Sequence, residues 1–120
     1  MNGLGELEAA VMDVLWRSRA PMRVRAVLNE LAPQRTLAYT TVMTVLDNLH
    51  RKGRVVRQLD GKAYLYQPVS SREESAARAL RDLLEATGDP DGVLLHFART
   101  ASKRELAVLR RSIADRTANR

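Results

Sequence analysis

The chain has 120 residues, of which 45% are hydrophobic, and its formal net charge is +6. This length fits one domain, or a small domain followed by an oligomerisation segment, and the basic charge favours a polyanionic partner such as nucleic acid. The absence of cysteine excludes disulfides, thiolate metal sites and thiol nucleophiles. Neither a signal peptide nor a membrane-spanning apolar run is recognisable, so we expect a cytoplasmic protein that does not bind membranes directly.

Three short helices are predicted within the first 53 residues. Apolar side chains recur at helical spacing over residues 4–17 and again over residues 24–31, where Pro33 stops the pattern. A short extended piece, residues 22–24, separates these two helices. The third helix covers residues 37–53 and is expected to end at Gly53, which can adopt a left-handed conformation. Three helices in this order are typical of a helix-turn-helix core.

The third predicted helix has two unlike faces. Its apolar face is formed by Val42, Val45, Leu46 and Leu49. The opposite side carries Thr40, Thr44, Asp47 and Arg51, flanked by Thr41 and Asn48. Threonine is a poor helix former, so a role other than helix stability is indicated for this face. Threonine hydroxyls can bind phosphates or base edges, and the methyl group can contact thymine. A plain buried helix with a β-branched bias is the alternative, and this stretch alone does not decide between them.

A β-hairpin is predicted directly after the third helix. Residues 54–59 read as a strand, Asp60-Gly61 as a turn, and residues 62–67 as a second strand that ends at Pro68. A helix-turn-helix followed by a hairpin is a winged helix, and a basic hairpin suits contact with the DNA backbone. A small exposed hairpin would be charged on its outer face in any case, but together with the threonine helix it favours DNA binding. The candidate DNA contacts are Tyr39, Thr40, Thr41, Thr44, Arg51, Lys52, Arg57 and Lys62.

Three further amphipathic helices are predicted in residues 70–120. Their starts are indicated by Ser70 or Ser71, by Asp89 before Pro90, and by Ser102. These helices share too little interior to bury their apolar faces alone, whereas a two-fold partner would cover them; folding back onto the winged helix is the alternative. The candidate dimer contacts are Leu94, Phe97, Leu106, Leu109 and Ile113.

The sequence therefore predicts a mainly α protein with two parts. Residues 1–69 form a winged-helix DNA-binding domain of three helices and a β-hairpin wing, and residues 70–120 form an all-helical dimerisation domain. Catalysis finds no support, because His50 and His96 stand alone in their segments and no glycine-rich phosphate loop is present. We expect neither an enzyme, nor a cofactor, nor a metal site.

The chain resembles the penicillinase-repressor family over nearly its whole length. The resemblance is carried by Leu-Gly-Glu-Leu-Glu at residues 4–8, by Tyr-Thr-Thr-Val-Met-Thr-Val-Leu at residues 39–46, and by residues 11–16, 52–53, 64–68 and 94–98. It implies a homodimeric repressor on an inverted-repeat operator of double-stranded DNA, with Thr40, Thr41 and Thr44 at the major groove. The missing cysteines argue against the family's copper-responsive branch, which uses a cysteine-rich tail.

The resemblance also implies a switch. In the family's β-lactam branch, a membrane-bound sensor metalloprotease triggers cleavage of the repressor at an Asn-Phe bond within a dimerisation helix. The matching bond here joins His96 and Phe97, so histidine replaces asparagine. A repressor switched by a small molecule and a winged helix that binds only protein remain alternatives. The aromatic content of 4% provides few stacking groups for a ligand pocket.

Overall fold

The computed structural model describes residues 5–119. Two compact units are present, of which the first ends at Ala77 and the second begins at Arg78. The elements along the chain are α1 (Glu6–Arg17), α2 (Val24–Leu31), α3 (Tyr39–Arg51), β1 (Val55–Asp60), β2 (Ala63–Pro68), α4 (Arg72–Ala86), α5 (Pro90–Thr100) and α6 (Lys103–Ala118). The predicted fold class, a winged helix followed by a helical segment, is confirmed. The predicted start of the first helix at Leu4 lies outside the described residues, as does Arg120.

The core of the first unit is built by all three of its complete helices together with the hairpin. Its buried side chains are Val11, Met12, Val14, Leu15, Val24, Val27, Leu31, Val42, Val45, Leu46, Leu49, Val55 and Tyr66. All four residues that define the predicted apolar face of α3 belong to this set. Because a helix repeats every 3.6 residues, burying that face turns the opposite side of α3 to solvent.

Both ends of α3 follow from local backbone chemistry. Ala38 precedes the helix with an extended backbone, so α3 begins at Tyr39 and not at the predicted Leu37. At the other end Gly53 has φ +75°, its N–H donates to the His50 carbonyl at 3.1 Å, and the Arg54 N–H donates to the Leu49 carbonyl at 2.9 Å. These two hydrogen bonds form a Schellman motif, which confirms the predicted role of Gly53.

The wing is an antiparallel hairpin whose register runs from Val55 opposite Pro68 to Asp60 opposite Ala63. The turn therefore consists of Gly61, with φ +67°, and Lys62. It lies one residue later than predicted, which moves Lys62 from the second strand to the tip of the wing. Met22 exchanges two backbone hydrogen bonds with Tyr66, at 2.9 and 2.8 Å, and these bonds attach the wing to the segment before α2.

The predicted helix starts of the C-terminal part are confirmed by their capping hydrogen bonds. Ser71, not Ser70, forms the first capping box with Glu74. The Asp89 carboxylate accepts from the Gly92 N–H at 3.1 Å, and Ser102 forms a capping box with Glu105. None of the described residues of α4, α5 and α6 is buried. These helices form because of their local sequence, but their apolar sides remain uncovered.

Candidate nucleic-acid interface

The outer face of α3 presents three exposed threonines, Thr40, Thr41 and Thr44. None of their hydroxyls forms a hydrogen bond with another residue between 5 and 119. A threonine inside a helix commonly bonds back to a carbonyl of the preceding turn, as Thr100 and Thr117 do in α5 and α6. The three hydroxyls on α3 are thus available to a ligand, and the residues that carry them are exposed.

A first groove lies between the start of α2, the start of α3 and the wing. It encloses about 430 Å³ and is lined by Arg23, Val24, Arg25, Tyr39, Met43, Lys62, Ala63, Tyr64 and Tyr66. The guanidinium of Arg25 stacks 4.7 Å from the centre of the Tyr39 ring. Arg23 and Arg25 were missed by the sequence analysis, although their placement on either side of Val24 was a visible basic signal.

A second groove separates α3 from the wing and encloses about 360 Å³. Its lining residues are Met43, Thr44, Asp47, Arg57, Tyr64 and Tyr66. The structure therefore brings two predicted contacts, Thr44 and Arg57, to one groove. It also brings two others, Tyr39 and Lys62, to the first groove. Three residues line both grooves, namely Met43, Tyr64 and Tyr66. The two grooves therefore lie side by side on the same side of the first unit.

Arg57 is held firmly within the second groove. Its Nη1 donates to Asp47 Oδ1 at 3.0 Å, and its guanidinium lies 4.2 Å from the centre of the Tyr64 ring. Hydrogen bonding to the side chains of Tyr66 and Asp47 raises the pKa of Arg57 above its usual value. The side chain of Arg57 is only 25% exposed, so most of its surface already has partners inside the protein.

Arg51 and Lys52 lie at the other end of α3, about 18 Å along the helix axis from Tyr39. Arg51 donates to the side chain of Asn48, and its Nε is 3.9 Å from Asp47 Oδ2. The Nζ of Lys52 donates to both carboxylate oxygens of Glu8 in α1, at 2.9 and 3.0 Å. The structure does not bring this pair of predicted contacts into either groove.

The Glu8–Lys52 ion pair attaches the end of α3 to the start of α1. Burial of the Glu8 carboxyl opposes its ionisation, but hydrogen bonds from the Gly5 N–H and Lys52, with the charges of Lys52 and Arg54, lower the pKa of Glu8 below 4.5. The ionised carboxylate of Glu8 is therefore part of the folded state at neutral pH.

Lys62 differs from the other basic residue of the hairpin strands, Arg57. It lies at the tip of the wing, it is exposed, and it forms no ion pair with any residue between 5 and 119. The nearby acidic residue of the hairpin, Asp60, forms an ion pair with Arg23 at 2.7 Å. Lys62 therefore carries a positive charge that the described part of the chain leaves uncompensated.

The predicted dimer contacts lie in the second unit and are largely uncovered. Leu94 is 51%, Phe97 49%, Leu109 45% and Ile113 63% exposed, and Leu106 is partly exposed. The predicted cleavage site, His96 and Phe97, lies in the middle of α5, and both side chains are exposed. Across residues 5–119 we find no group of acidic or histidine side chains suited to holding a metal ion. No helix in that range has the length and apolar character needed to cross a membrane.

Comparison with known proteins places these features in context. The Penicillinase repressor family matches residues 4–115. The transcriptional regulator BlaI of Mycobacterium tuberculosis (strain CDC 1551 / Oshkosh) is 42% identical over 118 residues, which cover 96% of this chain and 86% of the relative. The DNA-binding domain of the repressor BlaI has a TM-score of 0.54 at 25% identity, covering 61% of this chain and 88% of that one. Monomeric BlaI of Bacillus licheniformis, solved in complex with the blaP half-operator, has a TM-score of 0.50 at 25% identity, covering 59% and 85%.

Proposed function

The chain belongs to the penicillinase repressor family of winged-helix transcriptional repressors, and on that basis we propose that it binds an inverted-repeat DNA operator as a homodimer. The observation that carries the proposal is the exposed face of α3, whose three threonine hydroxyls are unbonded and whose Thr44 shares a groove with Arg57 of the wing. Such a face matches the groups that duplex DNA offers, namely base edges in the major groove and phosphates on either side. The half-operator complex of the Bacillus licheniformis relative supports duplex DNA as the ligand.

The predicted contacts divide into those that read sequence and those that bind the backbone. Thr40, Thr41 and Thr44 face base edges and thymine methyl groups, because their side chains are short, exposed and free to donate. Lys62 neutralises a phosphate from the tip of the wing. Tyr39 and Arg51 flank the threonines at the two ends of α3. Lys52 supports α3 through its ion pair with Glu8, and Arg57 is considered separately below.

Homodimerisation is proposed from the apolar surface of the C-terminal helices. Among residues 5–119, fifteen large hydrophobic side chains are exposed, and nine of them lie between Leu80 and Ile113. A monomeric soluble protein rarely leaves so many apolar side chains in contact with water, whereas a second copy would cover them. Residues 70–120 therefore act as the dimerisation domain, and residues 1–69 act as the DNA-binding domain.

The DNA-binding proposal is tested by selecting duplexes from a random-sequence pool with the purified protein. We expect an inverted repeat. Thr41→Ala and Thr44→Ala should each weaken binding to the selected duplex by roughly 1 kcal/mol or more, while binding to a scrambled duplex changes little. Lys62→Ala should weaken both duplexes about equally, because a phosphate contact carries no sequence information.

Thr36→Ala is the matched control, since Thr36 is an exposed threonine that precedes α3. It should leave both affinities unchanged. If Thr41→Ala and Thr44→Ala weaken the selected and the scrambled duplex to the same degree, α3 is not the element that reads the sequence.

We further propose that β-lactam or cell-wall stress inactivates the repressor through cleavage at the His96–Phe97 bond. A membrane-bound sensor metalloprotease would be the partner that triggers this step. Cutting the middle of α5 separates Leu94 from Phe97, Leu109 and Ile113, and so divides the apolar surface proposed to join two copies. Each fragment with a winged helix could still touch one half-site, but the gain from two linked contacts would be lost.

The cleavage proposal is tested by exposing cells to a β-lactam and measuring the masses of the repressor fragments. Because a hydrogen-bonded helix is a poor protease substrate, α5 must open locally before it is cut. A fragment that ends at His96 is the expected product. Derepression while the chain stays intact would contradict cleavage and would favour a switch driven by a ligand.

A further inference from the structure

Of the three charged side chains in the strands and turn of the wing, two form ion pairs with described residues outside the wing and one does not. Asp60 in β1 accepts from Arg23, the residue before α2, at 2.7 Å. Arg57 in β1 donates to Asp47 in α3 at 3.0 Å. Lys62 at the tip forms no ion pair with the described residues. One ion pair thus joins the wing to α3 and the other joins it to the residue that precedes α2, and these pairs use one basic and one acidic side chain of β1.

The ion pair between Asp47 and Arg57 lies directly beside the threonine face. Asp47 follows Thr44 by three residues, so the two lie about one turn apart on the same side of α3, and both line the second groove. From the wing, Arg57 lies opposite Tyr66 in the hairpin register and stacks 4.2 Å from the Tyr64 ring. The guanidinium is therefore enclosed by a carboxylate of α3 and by aromatic rings of β2.

A side chain that binds a DNA phosphate needs an exposed positive charge that is not already neutralised by a carboxylate. To bind a phosphate, Arg57 would have to leave the Asp47 carboxylate, and that carboxylate would then repel the same phosphate. A planar guanidinium that is both hydrogen-bonded and stacked on a ring is well suited to fixing two elements relative to each other. Lys62 has the exposure and the uncompensated charge that a phosphate contact needs.

We infer that Arg57 and Asp47 are positioning residues that hold the wing against α3, and that Lys62 is the phosphate contact of the wing. The ion pair sets the separation between the threonine face and the tip of the wing, so that both reach the duplex in one arrangement. Arg57 thereby acts on sequence preference without touching DNA. This inference rests on the proposed binding of duplex DNA through α3 and the wing.

The test compares the salt dependence of binding with the preference for the selected duplex over a scrambled one. Lys62→Ala should make the slope of log affinity against log salt shallower by about 0.9 for each copy, or about 1.8 for the proposed dimer, and it should leave the preference unchanged. Arg57→Ala and Arg57→Lys should keep the wild-type slope but reduce the preference about three- to tenfold. Arg57→Lys is informative because lysine retains the charge but cannot reproduce the planar, stacked geometry.

Asp47→Asn completes a double-mutant cycle with Arg57→Ala. It should reduce the preference as Arg57→Ala does, and the double variant should lose no more than either single variant. Removing a negative charge tightens binding to any DNA, so Glu30→Gln serves as the charge control. Glu30 is exposed and forms no ion pair with the described residues. The DNA affinities of all variants are compared under conditions in which circular dichroism shows each variant to be folded.

These measurements distinguish a positioning role of Arg57 from a phosphate contact. If Arg57→Ala lowers the slope as much as Lys62→Ala and Arg57→Lys restores it, Arg57 is a phosphate contact and the inference is wrong. The inference is equally wrong if Asp47→Asn behaves like Glu30→Gln and keeps the preference. A wild-type chain that binds no duplex in a salt-dependent way would instead overturn the proposed function itself.

Discussion

The proposed dimer makes a quantitative prediction at Leu109. This side chain is 45% exposed in the single chain, and it lies on α6 with Leu106 and Ile113, which are three and four residues away. Complete burial of a leucine side chain stabilises by about 1.5–3 kcal/mol. Covering the exposed 45% is therefore worth roughly 0.7–1.4 kcal/mol for each copy, or about 1.4–2.7 kcal/mol for the two copies in a dimer.

Leu109→Ala should accordingly weaken dimerisation by about 10- to 100-fold, since 1.4 kcal/mol corresponds to a factor of ten. Leu109→Asp should have a larger effect, because it places an unpaired carboxylate in the apolar contact. Each chain should stay folded, since Leu109 contributes nothing to the core of the winged helix. Sedimentation equilibrium at micromolar concentration measures the change in the dimer dissociation constant.

Ala107→Asp is the control for the introduced charge. Ala107 is exposed on α6 and points away from the side that carries Leu106, Leu109 and Ile113. Ala107→Asp should leave the dimer intact, and Leu109→Asp should lose affinity for a full operator while keeping its affinity for a half-site. The proposed dimer contact is refuted if both variants dimerise like the wild type, or if the wild type sediments as a monomer.

Three further predictions concern the fold that carries the interface. Leu46→Ala should lower the free energy of unfolding by about 2–5 kcal/mol, because Leu46 is fully buried. Met43→Ala should lower it much less, because the Met43 side chain is 43% exposed. Equal losses in urea titrations would contradict the assigned core. Glu8→Gln should cost about 0.5–1 kcal/mol at pH 7. The pKa of Glu8 in the folded state lies below 4.5. The stabilisation is therefore present above pH 4.5 and is lost as the pH falls through the folded-state pKa. A difference in stability between Glu8→Gln and the wild type that persists at pH 2 would count against the ion pair with Lys52. Gly61→Ala should cost about 1–2 kcal/mol in thermal unfolding, because alanine is strained at φ +67°, and an unchanged melting temperature would disprove the turn geometry.

The positions and types of the elements could be predicted because their signals are local. Ser102 with Glu105 satisfies the backbone of its own helix, and Asp89 before Pro90 does the same within three residues. The exposed threonine face was predictable for a related reason. Once the apolar positions of α3 are identified, the period of the helix determines which side chains lie opposite. The assignment of Thr40, Thr41 and Thr44 to base contacts stays a prediction.

The partners of the charged side chains were decided only by the tertiary structure. Arg57 and Lys62 are similar in the sequence as two basic residues of one hairpin, yet one is paired with Asp47 and the other forms no ion pair within residues 5–119. Lys52 meets Glu8 across 44 positions of the chain. The hairpin turn also lies one residue later than its sequence signal, since the pairing of Val55 with Pro68 sets the register. A charge or a turn residue has many possible partners at such separations, and only the packing of the helices against the wing selects among them.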